Sequence, residues 1–289
     1  MHGATERRIA LPGLDLAALQ WGADTAPPLL AVHGWLDNAG SFTYLAPLLA
    51  TRFRVIALEL PGHGHTGHLA AGAGYHYLDH VQAVLAAIDA LQLDRCLLLG
   101  HSLGAGVAAL VAAAAPKRIG QLLLIEGLGP LGDDGSHTLQ RFREALSPCG
   151  GDGTRLRTFR DIEQAIRARS VVSGLPPELA RPIVQRGLIE TEGGWRWRSD
   201  PRLTRPSAVR LAESQVHALL RGIEAPTALL LAQPATPYLP TAPMQARAAC
   251  VARITVTHLA GGHHLHLEQP AAVAAWIDAA VDGAIATSR

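Results

Sequence analysis

The stretch that decides the fold reads Cys96-Leu97-Leu98-Leu99-Gly100-His101-Ser102-Leu103-Gly104 and leads into an alanine-rich run that ends near residue 115. Its apolar beginning is typical of a buried strand, and the alanine-rich run is typical of a helix. Gly100, Ser102 and Gly104 fit the pattern G-x-S-x-G, in which a strained strand-to-helix turn exposes a serine above the edge of a sheet. The glycines let strand and helix approach without Cβ clashes. The stretch therefore predicts Ser102 as a nucleophile, the alternative being a chance glycine-rich turn.

Further apolar runs bounded by turn residues predict strands on either side of this stretch. They cover residues 29–32, 54–58, 96–99, 122–125, 228–232 and 254–259. Segments with helical spacing lie between them at 75–91, 103–115 and 270–281. This alternation predicts an α/β fold whose mainly parallel sheet is covered by helices on both faces. Residues 7–11 and 16–21, separated by Pro12-Gly13, predict a leading antiparallel hairpin.

The alternation stops between residues 127 and 222, which predicts an insertion after the sixth strand. Helical spacing at 159–172 and 177–186 is followed by a Gly193-Gly194 turn and by Trp195-Arg196-Trp197. We therefore predict a core domain of residues 1–126 and 223–289 and a helical cap of residues 127–222. The cap has 15 arginines against 11 acidic residues. These arginines either keep a helical lid soluble or recognise an acidic group on the substrate.

Composition excludes several classes of protein. The chain has 289 residues, 48% of them hydrophobic, and a formal net charge of +1, so no global charge favours a nucleic acid as partner. A small-molecule substrate is the better expectation. Cys96, Cys149 and Cys250 have no C-x-x-C spacing, which argues against a disulfide framework or a thiolate metal site. No leader pattern and no apolar run of about 18 residues occur, so we expect a soluble cytoplasmic protein without a membrane span.

Four motifs together carry a family resemblance. They are His33-Gly34-Trp35-Leu36-Asp37-Asn38, Pro61-Gly62-His63-Gly64, Gly100-His101-Ser102-Leu103-Gly104 and Gly262-His263-His264-Leu265-His266. In order and spacing the chain resembles the α/β-hydrolase superfamily, and the first and last motifs resemble its serine hydrolase-like branch. The resemblance implies the α/β-hydrolase fold, Ser102 as nucleophile, His263 as base, and an oxyanion hole formed by the N–H groups of Trp35 and Leu103. The implied mechanism is acyl transfer to serine followed by hydrolysis.

The general base must come from a loop crowded with histidines. A base that reaches Ser102 is expected after the last strand, where His258, His263, His264 and His266 all lie. Gly261 and Gly262 favour His263, with His264 as the alternative. These histidines, or His63, His65 and His68, could instead suggest a metal, but they lack a zinc-like spacing on one helix face. We therefore predict no metal and no cofactor.

The acid departs from the commoner family pattern. No Asp or Glu occurs from residue 225 through residue 267, and Ala235 stands where most members carry an aspartate. Glu126 ends the apolar strand at 122–125, which is the alternative acid position in this fold. A carboxylate at such a site is costly unless it is paired. We predict that Glu126 orients His263, the alternatives being a cap salt bridge at Glu126 or a dyad without an acid.

Other residues have less definite roles. Glu59 and Thr66 belong to a turn that resembles the D-x-P-G-x-G turn of the family, and we assign them a structural role. Asp37 either supports the oxyanion loop or points into the pocket. The candidates for lining the substrate pocket are His33, Gly34, Asp37, His101, Trp195 and Trp197.

The predicted reaction is hydrolysis of a carboxylic ester through an acyl-serine intermediate, because an activated serine and an oxyanion hole suffice for it. Thioesters, lactones and carbon–carbon cleavage of diketones use the same groups. A non-catalytic ligand-binding module and a cofactor-free oxygenase are alternatives on the same fold. The sequence leaves the oligomeric state open.

Overall fold

The computed structural model describes residues 3–147 and 158–286; Cys149 lies outside these ranges. Eight strands form the main sheet: β1 (Thr5–Leu11), β2 (Leu14–Trp21), β3 (Pro28–Val32), β4 (Arg54–Leu58), β5 (Cys96–His101), β6 (Ile119–Ile125), β9 (Thr227–Gln233) and β10 (Ile254–Ala260). A separate hairpin consists of β7 (Leu188–Thr191) and β8 (Gly194–Trp197). Each predicted strand is present, and most extend beyond the predicted run by one to three residues.

The strand order across the main sheet is β1-β2-β4-β3-β5-β6-β9-β10. The predicted hairpin β1–β2 is antiparallel, β2 also pairs antiparallel with β4, and all other neighbours are parallel. The mainly parallel α/β sheet is therefore confirmed. Its central strands β3 and β5 pair Val32 with Gly100, which places the loop after β3 beside the end of β5. The turns that carry the site consequently meet at one edge of the sheet.

Ten helices accompany the strands in the described part of the chain: α1 (Ala46–Leu49), α2 (Tyr77–Ala90), α3 (Leu103–Ala114), α4 (Thr138–Leu146), α5 (Ile162–Ser173), α6 (Pro177–Gly187), α7 (Glu213–Leu220), α8 (Thr241–Ala248), α9 (Leu265–Glu268) and α10 (Pro270–Ala286). Alternate residues of a strand face opposite sides of the sheet. Leu98 accordingly packs in a core that includes residues of α2, α3 and α7, whereas neighbouring Leu99 packs in a core that includes residues of α1 and α10. None of the described helices is both long and apolar enough to cross a membrane.

The segment after β6 contains α4 to α7 and the β7–β8 hairpin. Phe159, predicted to be helical, instead forms a β-bridge with Trp195. Phe159 is buried in a small separate core with Ala165, Ile166, Val184 and Leu188. Val216 and Leu220 of α7, in contrast, pack in the main core beside α3. The proposed division into core and cap at residues 127 and 222 stays a prediction.

Candidate active site

Ser102 lies between the last residue of β5 and the first residue of α3. Its backbone has φ 52° and ψ −115°, a combination that a residue with a side chain rarely adopts. Such strain costs about 1–3 kcal/mol and persists only where the surroundings enforce it. The Ser102 N–H donates to Ile125 O at 2.9 Å, which holds the turn against the end of β6. The geometry is that expected of an exposed nucleophile on a strand-to-helix turn.

The glycines of this turn have no room for a side chain. A Cβ on Gly100 would lie 2.6 Å from the backbone Cα of Ala105, and one on Gly104 would lie 2.6 Å from His33 O. Both contacts are with backbone, which cannot move aside without displacing α3 from the sheet. The close approach of strand and helix that was expected at these two glycines is therefore present in the structure.

Glu126 directly follows β6 and contacts the predicted base. Its side chain is 1% exposed, and Oε2 lies 3.1 Å from Nδ1 of His263. Oε1 accepts from Ala232 N at 2.6 Å, and Oε2 also accepts from the Thr236 hydroxyl at 3.0 Å. An ionised carboxylate only accepts hydrogen bonds, so Nδ1 of His263 carries the proton and Nε2 keeps a free lone pair. This is the tautomer that a general base requires.

The backbone that follows Glu126 lies close in space to the backbone of Ser102. A Cβ on Gly127 would lie 2.9 Å from Ser102 O, so the residues following β6 pack against the serine turn. In the described ranges, the Ser102 hydroxyl makes no hydrogen bond, and none joins it to His263. Hydrogen bonds between nucleophile and base often tighten only when substrate is bound.

Two backbone N–H groups, in the turns after β3 and β5, have no hydrogen-bond acceptor among the described residues. Leu103 is the first residue of α3, where N–H groups lack partners within the helix. Trp35 lies in the turn after β3, which Asp37 N closes by donating to Gly34 O at 3.1 Å. Neither the Leu103 nor the Trp35 N–H donates to a described residue. The side chain of Trp35 is half exposed, and its indole N–H donates to Leu203 O at 3.0 Å.

His33 lies beneath this turn and is fully buried. Its Nε2 accepts from Leu60 N at 3.1 Å, so Nδ1 is the donor to Gly34 O at 2.8 Å. Burial lowers the pKa of His33, which keeps the ring neutral. Both ring nitrogens of His33 form hydrogen bonds with the backbone, so His33 supports the loop and has no nitrogen available for a substrate.

His101 connects the serine turn with the loop of the base. Its Nε2 lies 2.8 Å from the carbonyl oxygen of His263, so Nε2 carries the proton. The ring is 1% exposed, and burial, with smaller contributions from the neighbouring imidazoles, holds its pKa well below the usual value. The ring centroids of His101 and His263 are 4.8 Å apart. His101 is therefore a neutral buried link rather than part of an open pocket wall.

Asp37 is buried and pairs with the segment after β6. Arg169 of α5 donates to Oδ1, and Nε2 of His264 lies 3.5 Å from Oδ2. Burial alone would raise the pKa of Asp37, but Arg169, His264 and His101 outweigh it and hold the pKa well below its usual range. Asp37 thus stays ionised, and of the two sequence interpretations its contacts favour support of the loop.

The two tryptophans predicted as pocket candidates lie on the β7–β8 hairpin. Trp195 and Trp197 are partly buried against the small core around Phe159, and the Trp197 and Phe159 rings meet edge to face with centroids 5.6 Å apart. Their described contacts hold the hairpin to α5 and α6. The structure brings neither of them into contact with Ser102 or His263.

Sequence reasoning missed Tyr238, Thr236 and Arg169. The Tyr238 ring meets His263 edge to face with centroids 4.8 Å apart, and burial raises the pKa of its hydroxyl to about 12. Tyr238 and Thr236 both lie in the loop after β9, where the usual aspartate is absent. The absence of an acidic residue from that loop was the signal available in the sequence. The pairing of Arg169 with Asp37 had no signal, since the two residues are 132 positions apart.

A cavity of about 720 Å³ adjoins Glu126 on the side of α8. Its lining is mostly apolar and includes Leu229, Leu231, Leu239, Met244 and Ala248. Ala235 and Thr236 also border it. Glu126 and residues of the loop after β9 therefore line the same, mostly apolar, space.

The clustered histidines do not form a metal centre in the described ranges, where no group of three or more His, Cys, Asp or Glu side chains is arranged to hold a metal ion. The rings of His101, His264 and His266 pack against each other, with centroid distances of 4.3 to 6.1 Å. Packing around Asp37 accounts for the position of His264 and His266.

The fold and the serine turn define an α/β hydrolase, and the chain belongs to the alpha/beta hydrolase family, whose sequence profile matches residues 29–276. Within it, the chain lies in the serine hydrolase-like branch. A serine hydrolase-like protein of Dictyostelium discoideum is 28% identical over 275 residues, 90% of this chain and 76% of the relative.

Solved structures extend the comparison to nearly the whole chain. A hypothetical protein of Pseudomonas aeruginosa PAO1 is 39% identical, covers 98% of this chain and 99% of its own, and has a TM-score of 0.85. A thioesterase domain from the curacin biosynthetic pathway is 28% identical, covers 95% of this chain and 98% of its own, and has a TM-score of 0.82. The predicted α/β-hydrolase fold is thereby confirmed.

Proposed function

We propose that the protein hydrolyses carboxylic esters through an acyl-serine intermediate. The observation that carries the proposal is the pairing of His263 Nδ1 with the buried Glu126 carboxylate beside the strained Ser102 turn. Glu126 sets the tautomer of His263, whose Nε2 takes the Ser102 proton as Oγ attacks the acyl carbon. The free N–H groups of Leu103 and Trp35 would bind the oxyanion. His263 then protonates the leaving alcohol, and a water activated by the same ring releases the acid.

The test is covalent labelling of the whole chain with a fluorophosphonate, followed by intact-mass spectrometry. We expect one adduct on the parent and none on Ser102→Ala. Ser136→Ala is the matched control, because Ser136 is an exposed serine outside the proposed machinery. A parallel series of p-nitrophenyl esters of increasing acyl length measures turnover. Absence of both an adduct and turnover in the parent would contradict the proposal and favour a ligand-binding module.

A thioester is the second candidate substrate class. The similarity to the curacin thioesterase domain supports it, since that domain covers most of this chain. The leaving group distinguishes the two classes, because a thiolate needs less help from the protonated base than an alkoxide. Matched oxygen and sulfur esters of the same acyl group should therefore be compared by kcat/KM.

A further inference from the structure

A single buried carboxylate brings together four parts of the molecule. Asp37, whose side chain is 1% exposed, follows the turn that carries Trp35. Its Oδ1 accepts from Arg169 of α5, and its Oδ2 lies 3.5 Å from His264 Nε2 and 3.9 Å from His101 Nδ1. His101 precedes the proposed nucleophile, and His264 follows the proposed base. The carboxylate therefore lies in the turn of the proposed oxyanion donor Trp35 and close to the serine turn and to the loop of the proposed base.

The contacts continue from Asp37 to the backbone of the base. His101 donates from Nε2 to the carbonyl of His263, and His264 directly precedes α9, which packs near residues 39–42 of the loop that contains Asp37. A Cβ on Gly34 would lie 3.0 Å from His101 Nδ1 and 3.2 Å from Asp37 Oδ2, so the oxyanion turn packs directly on both groups. A displacement of Asp37 must consequently move the turn, the base loop or both.

Arg169 is the cation that this arrangement requires. A buried carboxylate without a paired cation is strongly unfavourable, and the histidines around Asp37 are packed among each other. The Arg169 side chain is 13% exposed and comes from α5, which packs with α6. The burial of the Asp37 carboxylate thus depends on the position of α5, which brings Arg169 to the loop after β3.

We propose that Asp37 is a positioning residue for the oxyanion turn and for His263. Its pairing with Arg169 makes the alignment of both depend on the position of α5. Asp37 acts through His101 and His264 and takes no part in bond making. The proposal rests on the proposed serine hydrolase function. It adds that the position of α5 over the loop after β3 is coupled to catalytic competence.

The test compares kcat, KM and the rate of fluorophosphonate labelling in Arg169→Met, Asp37→Asn and the double variant. Arg169→Met removes the arginine partner of the carboxylate, and we expect kcat and the labelling rate to fall about 10- to 100-fold. The double variant removes both charges and should recover at least about 5-fold of that loss, since a buried neutral amide needs no cation. Arg169→Lys keeps the charge and should retain most of the activity even if Arg169→Met fails to fold.

Arg181→Met is the matched control, because Arg181 pairs with Glu163 on the exposed surface of the same helices. It should leave kcat within about twofold of the parent. An Arg169→Met variant that keeps the parent kcat and labelling rate would overturn the inference, as would a double variant no better than Arg169→Met. Failure of the proposed function looks different, since then the parent itself is neither labelled nor active.

Discussion

At the residue scale, the proposed acid is the feature that departs from the usual pattern of the family. Glu126 reaches His263 from the end of β6, and Ala235 at the usual position is exposed. Glu126 has a φ of 53°, so its backbone turns at this residue and directs the carboxylate toward Ala232 and His263. Both carboxylate oxygens of Glu126 accept hydrogen bonds. Its role as the acid can be tested without disturbing the packing.

Glu126→Gln should lower kcat/KM by about 10²- to 10⁴-fold, because the amide no longer stabilises the imidazolium and can hold the wrong tautomer of His263. The loss should be smaller than for Ser102→Ala. The measurement is steady-state hydrolysis of a p-nitrophenyl ester between pH 6 and pH 9. Ala235→Ser, at the exposed position of the absent aspartate, is the control and should remain within about twofold. Full activity of Glu126→Gln over that pH range would refute the assignment.

At the scale of elements, α6 is held to the core by a buried ion pair. Arg186 donates to Glu59 from Nε at 2.6 Å, and Nη1 donates to Glu6 at 2.6 Å. Glu59 also accepts from the backbone N–H groups of Ala39 and His65 at 3.1 and 2.7 Å. The structural role predicted for Glu59 stays a prediction, and these contacts are its support. They join the segment after β6 to β1, to β4 and to the loop after β3.

Arg186→Met should therefore lower the free energy of unfolding by about 3–5 kcal/mol, since Glu59 would be left buried without its cation. Arg181→Met, at an exposed pair, should cost at most about 1 kcal/mol. Urea titration followed by circular dichroism measures both changes. An Arg186→Met variant as stable as Arg181→Met would show that the pair does not stabilise the docking of α6.

The order of elements could be read from the sequence, because strand and helix periodicities and the turn around Ser102 are local signals. The position of Glu126 followed from the absence of acids after β9. The contacts of Arg169 and Arg186 could not be foreseen, since an arginine pairs with whichever carboxylate the tertiary fold brings near. The Phe159–Trp195 bridge was missed for the same reason, as its partners are far apart in sequence.

At the scale of the whole molecule, buried neutral histidines make stability depend on pH. Burial lowers the pKa of His80 to about 4 and that of His266 to about 3, and it also lowers the pKa of His33, His63 and His101. In the unfolded chain a histidine has a pKa of about 6.5. Between about pH 6.5 and the lowered values, the unfolded chain binds protons that the folded chain does not. Stability is therefore lost as the pH falls through this window.

The free energy of unfolding should fall between pH 7.5 and pH 5, by up to about 1.4 kcal/mol per pH unit for each such histidine. Asp37 contributes to the free energy of unfolding in a separate, lower pH range. Because its pKa is lowered in the folded protein, this contribution is kept until the pH falls below about 4. Urea titrations at pH 7.5, 6 and 5 measure the change, and His80→Asn should show a shallower dependence than the parent. Equal stability at pH 7.5 and pH 5 would contradict this account.

The placement of Glu126 has a consequence for how such a chain can diversify. His101 and Ile125, which precede Ser102 and Glu126, are register partners on adjacent strands, so sheet pairing itself sets the spacing of serine and carboxylate. With Glu126 as the proposed acid, the loop after β9 does not have to supply one, and its Thr236 hydroxyl donates to Glu126. Insertions or exchanges around Tyr238 would leave the spacing of serine and carboxylate unchanged, because that spacing depends on the pairing of β5 with β6.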